Sequence, residues 1–532
     1  MIDLDVTRIQ DTVWIETDSG WILLEQTEDA WTGEGLRLYC TRDDDALRIS
    51  IAAPHAEVKR IKLIWRHGIQ GRISVYGDHW ERGYGDLEWR GIVPERIMPW
   101  YAMIHDGNET VGIGVRTGGN SFCHWQLNER SATLIADVRC GPAGVRLGDR
   151  VLQVADVVQY RSREDETPFY AAKSFAKRMC ATPLLPALPV YGGNNWYCRF
   201  GDIDPQDVIE DAKFLAGLAD GLTNRPYMVI DDGWQLHSGD NGYNGGPWVG
   251  NRKFPDMAKL AKEIEEAGAI PGIWIRPLLT RESVPATWTN DMESGAILDP
   301  SIPEVLAHIG NMFRTLNRWG YRLIKHDFST FDLLGLWGPD IKGNAAAYPF
   351  ADRTRTSAEI IKQLYQTIKD ASGDSLIMGC NTISHLAAGL VHIQRTGDDT
   401  SGAGWERTRR MGINTLAFRM HQHDTFYSHD ADCVAITPGT PWPYAAQWLD
   451  LVSRSGTPLF LSVKPGTLTD EQLLAVQAAF RIASEPQIDA VPLDWLNTTC
   501  PATWQYDDQV VAYDWYADEG IRTIDRDNVW WV

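Results

Sequence analysis

The chain has 532 residues, a formal net charge of −21 and 23 tryptophans. A balance this acidic excludes nucleic acid and anionic membrane surfaces as favoured partners and suits a neutral small molecule. No apolar run reaches membrane-spanning length and the opening residues, Met1-Ile2-Asp3-Leu4-Asp5-Val6, carry no secretory apolar region, so no membrane association and a cytoplasmic location are expected.

Residues 1–180 read as an N-terminal β-sandwich. Short alternating runs recur at 12–17, 48–51, 61–65 and 111–115, separated by Gly, Asp and Asn turns. A connecting helix is expected at 171–180, followed by the linker Pro183-Leu184-Leu185-Pro186. The eight cysteines are scattered without a Cys-x-x-Cys pair and read as buried thiols.

From Leu188 the texture becomes strand, loop, helix, repeated. Strands are expected at 188–191, 227–230, 270–276, 323–327, 376–381, 392–397, 424–426 and 458–462. Helices are expected at 205–219, 256–268, 302–319, 353–370, 405–419, 444–453 and 469–484. The fold class is therefore α/β: a central (β/α)8 TIM barrel over 187–485, with the sandwich before it and a small β-strand region at 486–532 after it. No internal repeat is visible.

Barrel enzymes carry their chemistry at the carboxyl ends of the strands. Those ends supply Asn194, Asn195 and Trp196; Asp231, Asp232 and Trp234; Trp274 and Arg276; Lys325 and Asp327; Cys380 and Asn381; Arg395, Asp398 and Asp399. The seventh end would offer His423, Asp424 and Asp430. This is a carboxylate-rich cup with aromatic walls, suited to a polyhydroxylated ring. Lys325 and Asp327 lie two residues apart, hence on one face of a strand, so the ammonium would keep the carboxylate ionised. In Asp231-Asp232-Gly233-Trp234 the carboxylates could bridge sugar hydroxyls, Gly233 permits a sharp turn, and Trp234 could stack on a ring.

These segments resemble the clan D glycoside hydrolases, especially the α-galactosidases of families 36 and 27. The resemblance lies in Asp231-Asp232-Gly233-Trp234, Gly272-Ile273-Trp274-Ile275-Arg276-Pro277, Leu298-Asp299-Pro300, Lys325-His326-Asp327 and Arg395-Thr396-Gly397-Asp398-Asp399. It implies a retaining glycosidase that cleaves terminal α-galactoside-like residues, with Asp327 as nucleophile and Asp398 as acid/base, Asp399 being the alternative. Asp231, Asp232 and Lys325 would bind the sugar, with Trp234, Trp274, Arg276, Cys380, Asn381, Arg395, Asn195 and Trp196 around it. The resemblance implies no cofactor. Departures at Cys380-Asn381 and Arg276 leave a β-L-arabinopyranosidase open, and sequence alone does not separate hydrolysis from transglycosylation. A catalytically inactive sugar-binding barrel is a non-enzyme alternative. A divalent metal on His421, His423, Asp424, His429, Asp430 and Asp432 is a rival reading, but no metal is expected, because the first strand end offers asparagines instead of ligands. The oligomeric state is open, a homo-oligomer included.

Overall fold

The computed structural model describes residues 2–43, 45–69, 71–292, 295–336, 338–341, 343–344 and 348–516. Two antiparallel sheets, of eight and seven strands, account for most of the first 161 residues. Alternation explains them. Thr12–Thr17 pairs with Glu57–Arg66 so that Val13 faces Leu63 and Ile15 faces Ile61, and all four are fully buried. The helix Pro168–Met179 follows, starting three residues before the expected 171 because Thr167 caps it through the Tyr170 amide.

The next unit is a curled, wholly parallel sheet of nine strands. In spatial order they are Ser428–Asp430, Ile393–Arg395, Leu376–Gly379, Leu323–His326, Ile270–Ile275, Tyr227–Ile230, Tyr191–Asn194, Leu459–Ser462 and Val434–Ala435. Its two edge strands, Ser428–Asp430 and Val434–Ala435, are neighbouring segments of one run of chain. The strands are nearly all buried on both faces, as expected for a parallel sheet covered by helices. The helices start where capping chemistry dictates. Asp204 with Asp207, Thr356 with Glu359 and Thr469 with Gln472 form capping boxes at Pro205–Leu218, Ser357–Ala371 and Asp470–Ala483.

Several expected elements differ. The strand placed at 188–191 lies at Tyr191–Asn194, and the helix placed at 353–370 starts at Ser357, where Thr356 caps it. The strand placed at 424–426 lies instead at Ser428–Asp430, because Asp424 turns the chain with a positive φ of 59°. The helix placed at 405–419 is broken by a π-helical segment at Arg409–Asn414. Beyond the parallel sheet, Ala490–Pro492, Thr503–Tyr506 and Gln509–Ala512 form a three-stranded antiparallel sheet. The remainder of the expected C-terminal β region, 517–532, lies outside the described residues.

The N-terminal sheets join the parallel unit through a buried polar seam. Arg419 is fully buried and pairs with Asp78, which also accepts a bond from Gln422, while the Tyr76 hydroxyl donates to the Phe418 carbonyl. A charge buried this deeply persists only when its donors are satisfied. The seam therefore anchors the excursion that leaves Ser74–Gly77 and passes over the carboxyl ends of the parallel strands.

Candidate active site

The carboxyl ends of strands one to six bring most of the expected residues together. Asp327 follows Leu323–His326, and its carboxylate accepts from the Trp274 indole N–H at 3.1 Å and from its own neighbour's amide, Phe328 N, at 2.8 Å. Lys325 does not pair with it. The ammonium instead crosses to the second strand end and bonds Asp231 Oδ2 at 2.7 Å, both residues being over 90% buried. Lys325 therefore acts on Asp327 through its charge and not through a direct bond. Asp327 lies past the strand end, so its direct donors are an indole and an amide, while the lysine neutralises the far-side carboxylate.

Asp231 is held at both carboxylate oxygens. Asn194 donates to it at 2.6 Å, its other oxygen takes the Asp232 amide, and its own amide is held by Asn195 Oδ1 at 3.0 Å. The Asn195 amide nitrogen is buried with no partner among the described residues. Asp232 accepts from Gln235 and Ser238, and burial pushes its carboxyl up to about 6. The turn after it needs Gly233: φ is +130°, and a Cβ there would meet the Gly201 carbonyl oxygen at 2.9 Å.

Two aromatic expectations divide. Trp234 is fully buried, donates to the Trp274 carbonyl, and packs on Trp248 and Trp319. It props the wall and offers no face to a ring, correcting its expected stacking role. Trp274 supplies its N–H to Asp327 and stands edge-on to Phe328. Trp196 is half-buried and edge-on to Phe200. Arg276 is taken up by a forked pair with the buried Asp332, a bond to Asn244, and the face of Phe328 at 4.2 Å. It buttresses the Asp327 turn instead of reaching into the cup.

The sixth strand end is a dense charge cluster. Arg395 is 3% exposed and bonds Asp399 Oδ1 and Asp432 Oδ1, each at 2.8 Å, with the Cys380 sulfur at 3.9 Å. Burial raises the Asp399 carboxyl, but Arg395, Arg82, Lys325 and Arg407 outweigh it and hold the group at about 2. Asp398 lies between two guanidiniums, Arg82 at 3.2 Å and Arg407 at 3.1 Å. Burial, then the negative charge of Asp327, pushes the neighbouring Cys380 thiol well up, so it stays neutral.

Several contributors escaped sequence reasoning. Glu81 and Arg82 come from the N-terminal excursion. Arg82 pairs with Asp398, and Glu81 accepts from Asn381 of the fifth strand end. The excursion is locked on by paired backbone bonds, Gly83 N to Thr396 O at 2.7 Å and Asp398 N to Gly83 O at 3.0 Å. Gly397 permits close packing of the Met411–Thr415 segment on the same strand end, since a Cβ there would sit 2.6 Å from the Met411 carbonyl oxygen. Tyr197 bonds Asp432 at 2.6 Å and accepts from Arg395. Asp432 was legible only as a member of the His/Asp-rich run. In the structure that run does not converge: His421 bonds the Tyr101 hydroxyl, His423 accepts the His429 amide, and Asp432 serves Arg395 and Tyr197. Among the described residues no group of three or more His, Cys, Asp or Glu side chains is placed to hold a metal. Among the same residues no helix is long and apolar enough to cross a membrane.

No family model matches the sequence. Among curated proteins it is 33% identical over 86 residues to the α-galactosidase AgaA of Geobacillus stearothermophilus, covering 16% of this chain and 11% of that protein. It is 33% identical over 88 residues to the probable α-galactosidase B of Talaromyces emersonii, covering 16% and 20%. The matched stretches are thus a fifth or less of those relatives' length. Among solved structures it is similar to TtGalA, an α-galactosidase from Thermus thermophilus in complex with p-nitrophenyl α-D-galactopyranoside. The TM-score is 0.59 at 15% identity, over 94% of this chain and 99% of that one. The GH36 α-galactosidase AgaA from Geobacillus stearothermophilus gives 0.59 at 13% identity, over 88% and 75%. The chain therefore resembles the GH36 α-galactosidases, in fold over most of its length and in sequence over one short stretch.

Proposed function

We propose that this protein is a retaining exo-glycosidase that removes terminal α-galactoside-like sugars through a covalent glycosyl-enzyme on Asp327. The observation that carries the reading is the placement of an indole-bonded carboxylate, Asp327, and a second carboxylate held by two arginines, Asp398, at the carboxyl ends of one parallel sheet. The fold is shared with α-galactosidases, one of them in complex with an α-galactoside. We read the nine-stranded sheet as a (β/α)8 barrel in which the run from Ser428 to Ala435 joins the two edges.

In this reading Asp327 attacks the anomeric carbon and forms the new C–O bond while Asp398 gives its proton to the departing glycosidic oxygen. The Trp274 N–H steadies the attacking carboxylate and keeps its second oxygen in line. Asp398, then ionised, takes a proton from water, which attacks the same carbon and releases Asp327, so two inversions return the original anomer. Arg82 and Arg407 stabilise Asp398 in its ionised stage. Asp231 and Asp232 accept ring hydroxyls at the opposite wall, where Lys325 pairs with Asp231. Eight unpaired cysteines suit a reducing, cytoplasmic setting.

The test is a panel of nitrophenyl glycosides with the product anomer followed by NMR. Cleavage of the α-galactoside with the α-anomer released first supports the reading. Cleavage only of the β-L-arabinopyranoside changes the substrate, and first release of the inverted anomer rejects the mechanism.

A further inference from the structure

The N-terminal excursion brings one group into this site that the mechanism above does not use. Glu81 is 1% exposed, fixed at one oxygen by Asn381 and by Arg82 Nε at 2.9 Å. Its other oxygen, Oε2, is buried with no partner among the described residues. Arg82 is thereby shared: its Nε side faces Glu81, its Nη2 faces Asp398 at 3.2 Å, and its Nη1 faces Asp399 at 3.8 Å. The backbone carrying Glu81 is pinned, since Arg419 donates to the Glu81 carbonyl at 2.6 Å and to the Thr396 carbonyl at 3.2 Å. A proton donor between two guanidiniums faces a physical difficulty. Both cations favour its carboxylate form, whereas the first step needs it protonated.

We propose that Glu81 is a positioning residue for the proton donor: it neutralises Arg82 from behind, so that Arg82 fixes the orientation of Asp398 without locking it as a carboxylate. This rests on the reading of Asp398 as the acid/base.

The groups facing Glu81 support a shared proton. Arg82 lies beside it, Asp398 and Asp327 add negative charge from the sixth and fourth strand ends, and Tyr84 and Tyr365 lie close by. Arg407 faces Asp398 from the other side. Burial pushes the Glu81 carboxyl up to about 7, against the pull of Arg82. The charge of Asp398 adds to that rise, so the two carboxyls oppose each other's ionisation across Arg82. Removing the Glu81 charge leaves Arg82 to act on Asp398 unopposed. Glu81 is buried before substrate binds, so its effect reaches the reaction through Arg82 and not by touching the sugar.

The test is the pH profile of kcat/KM for the Glu81→Gln full chain, on one aryl glycoside with a good leaving group and one with a poor one. The alkaline limb should move at least one pH unit toward acid. The loss should be largest for the poor leaving group, and azide should not restore it, because Asp398 still serves as base. Glu81→Asp, which keeps the charge, should recover much of the shift. An unmoved alkaline limb with equal losses on both substrates makes Glu81 a structural residue and overturns the proposal. If Glu81→Gln does not fold, infrared titration of wild type labelled with 13C-glutamate decides. A buried carboxyl band titrating near pH 7 supports the pair, and the absence of any glutamate titrating above pH 6 overturns it. Failure of the underlying reading is distinguishable: Asp398→Ala would then show no leaving-group dependence at all.

Discussion

Replacing Lys325 by methionine separates the structural role of the Lys325–Asp231 pair from its role in binding. Lys325 is 7% exposed and Asp231 3%, with 2.7 Å between ammonium and carboxylate. Methionine preserves most of the stem but leaves a buried carboxylate with the Asn194 side chain and the Asp232 amide as donors. Breaking a buried pair from one side costs about 3–5 kcal/mol, most of it the uncompensated charge. Urea unfolding followed by tryptophan fluorescence should show a loss of that order, and kcat/KM should fall with it. The double variant Lys325→Met, Asp231→Leu removes both charges and should recover most of the stability. It should not recover activity, because the hydroxyl acceptor is gone. A single variant that loses less than about 1 kcal/mol would place the pair in a solvated setting. A double variant that regains activity would remove Asp231 from sugar binding.

Asp398→Ala should cost on the order of 10²–10⁴-fold on poor leaving groups, spare the first step on activated aryl glycosides, and respond to azide. Rate measurements across a leaving-group series check this, and the same pattern for Asp399→Ala would reverse the assignment. Exhaustive chelation should leave activity within about twofold, since nucleophile and proton donor are both side chains. Recovery of lost activity on adding a divalent ion would contradict it. Burial pushes Asp430 up to about 6 from an ordinary 3.8. The native state therefore binds more protons than the unfolded chain between those values, and stability falls as pH rises through that window. Urea midpoints from pH 4 to 7 should show a decline in wild type that Asp430→Asn reduces by roughly 2–3 kcal/mol.

The strand ends were legible because an apolar run stopping at a carboxylate is a local signal. Tyr227–Ile230 before Asp231 and Leu323–His326 before Asp327 lie where the pattern puts them. Pairing was less legible, since spacing gives the face of a side chain and not its reach. Lys325 shares a face with Asp327 yet extends across one strand to Asp231. Trp234 follows an acidic tip, as a stacking residue would, but the turn at Gly233 swings it into a cluster with Trp248 and Trp319. The seventh strand was misplaced because its buried residues, Ser428, His429 and Asp430, are polar and leave no apolar run to read. Glu81 and Arg82 lay beyond reach for another reason. They sit in an aperiodic stretch, and Glu81 meets Asn381 across 300 residues of chain. The tertiary seam through Asp78 and Arg419, together with the Gly83 backbone bonds, brings them to the site.

The most direct measurement is mass spectrometry of the protein after reaction with 5-fluoro-α-D-galactosyl fluoride, which forms the glycosyl-enzyme quickly and releases it slowly. A 5-fluorogalactosyl adduct on the peptide containing Asp327, with loss of the anomeric fluoride, absent from Asp327→Ala, is the predicted result. An adduct on another residue, or turnover of an α-galactoside to the inverted anomer with no adduct, would contradict a covalent intermediate on Asp327.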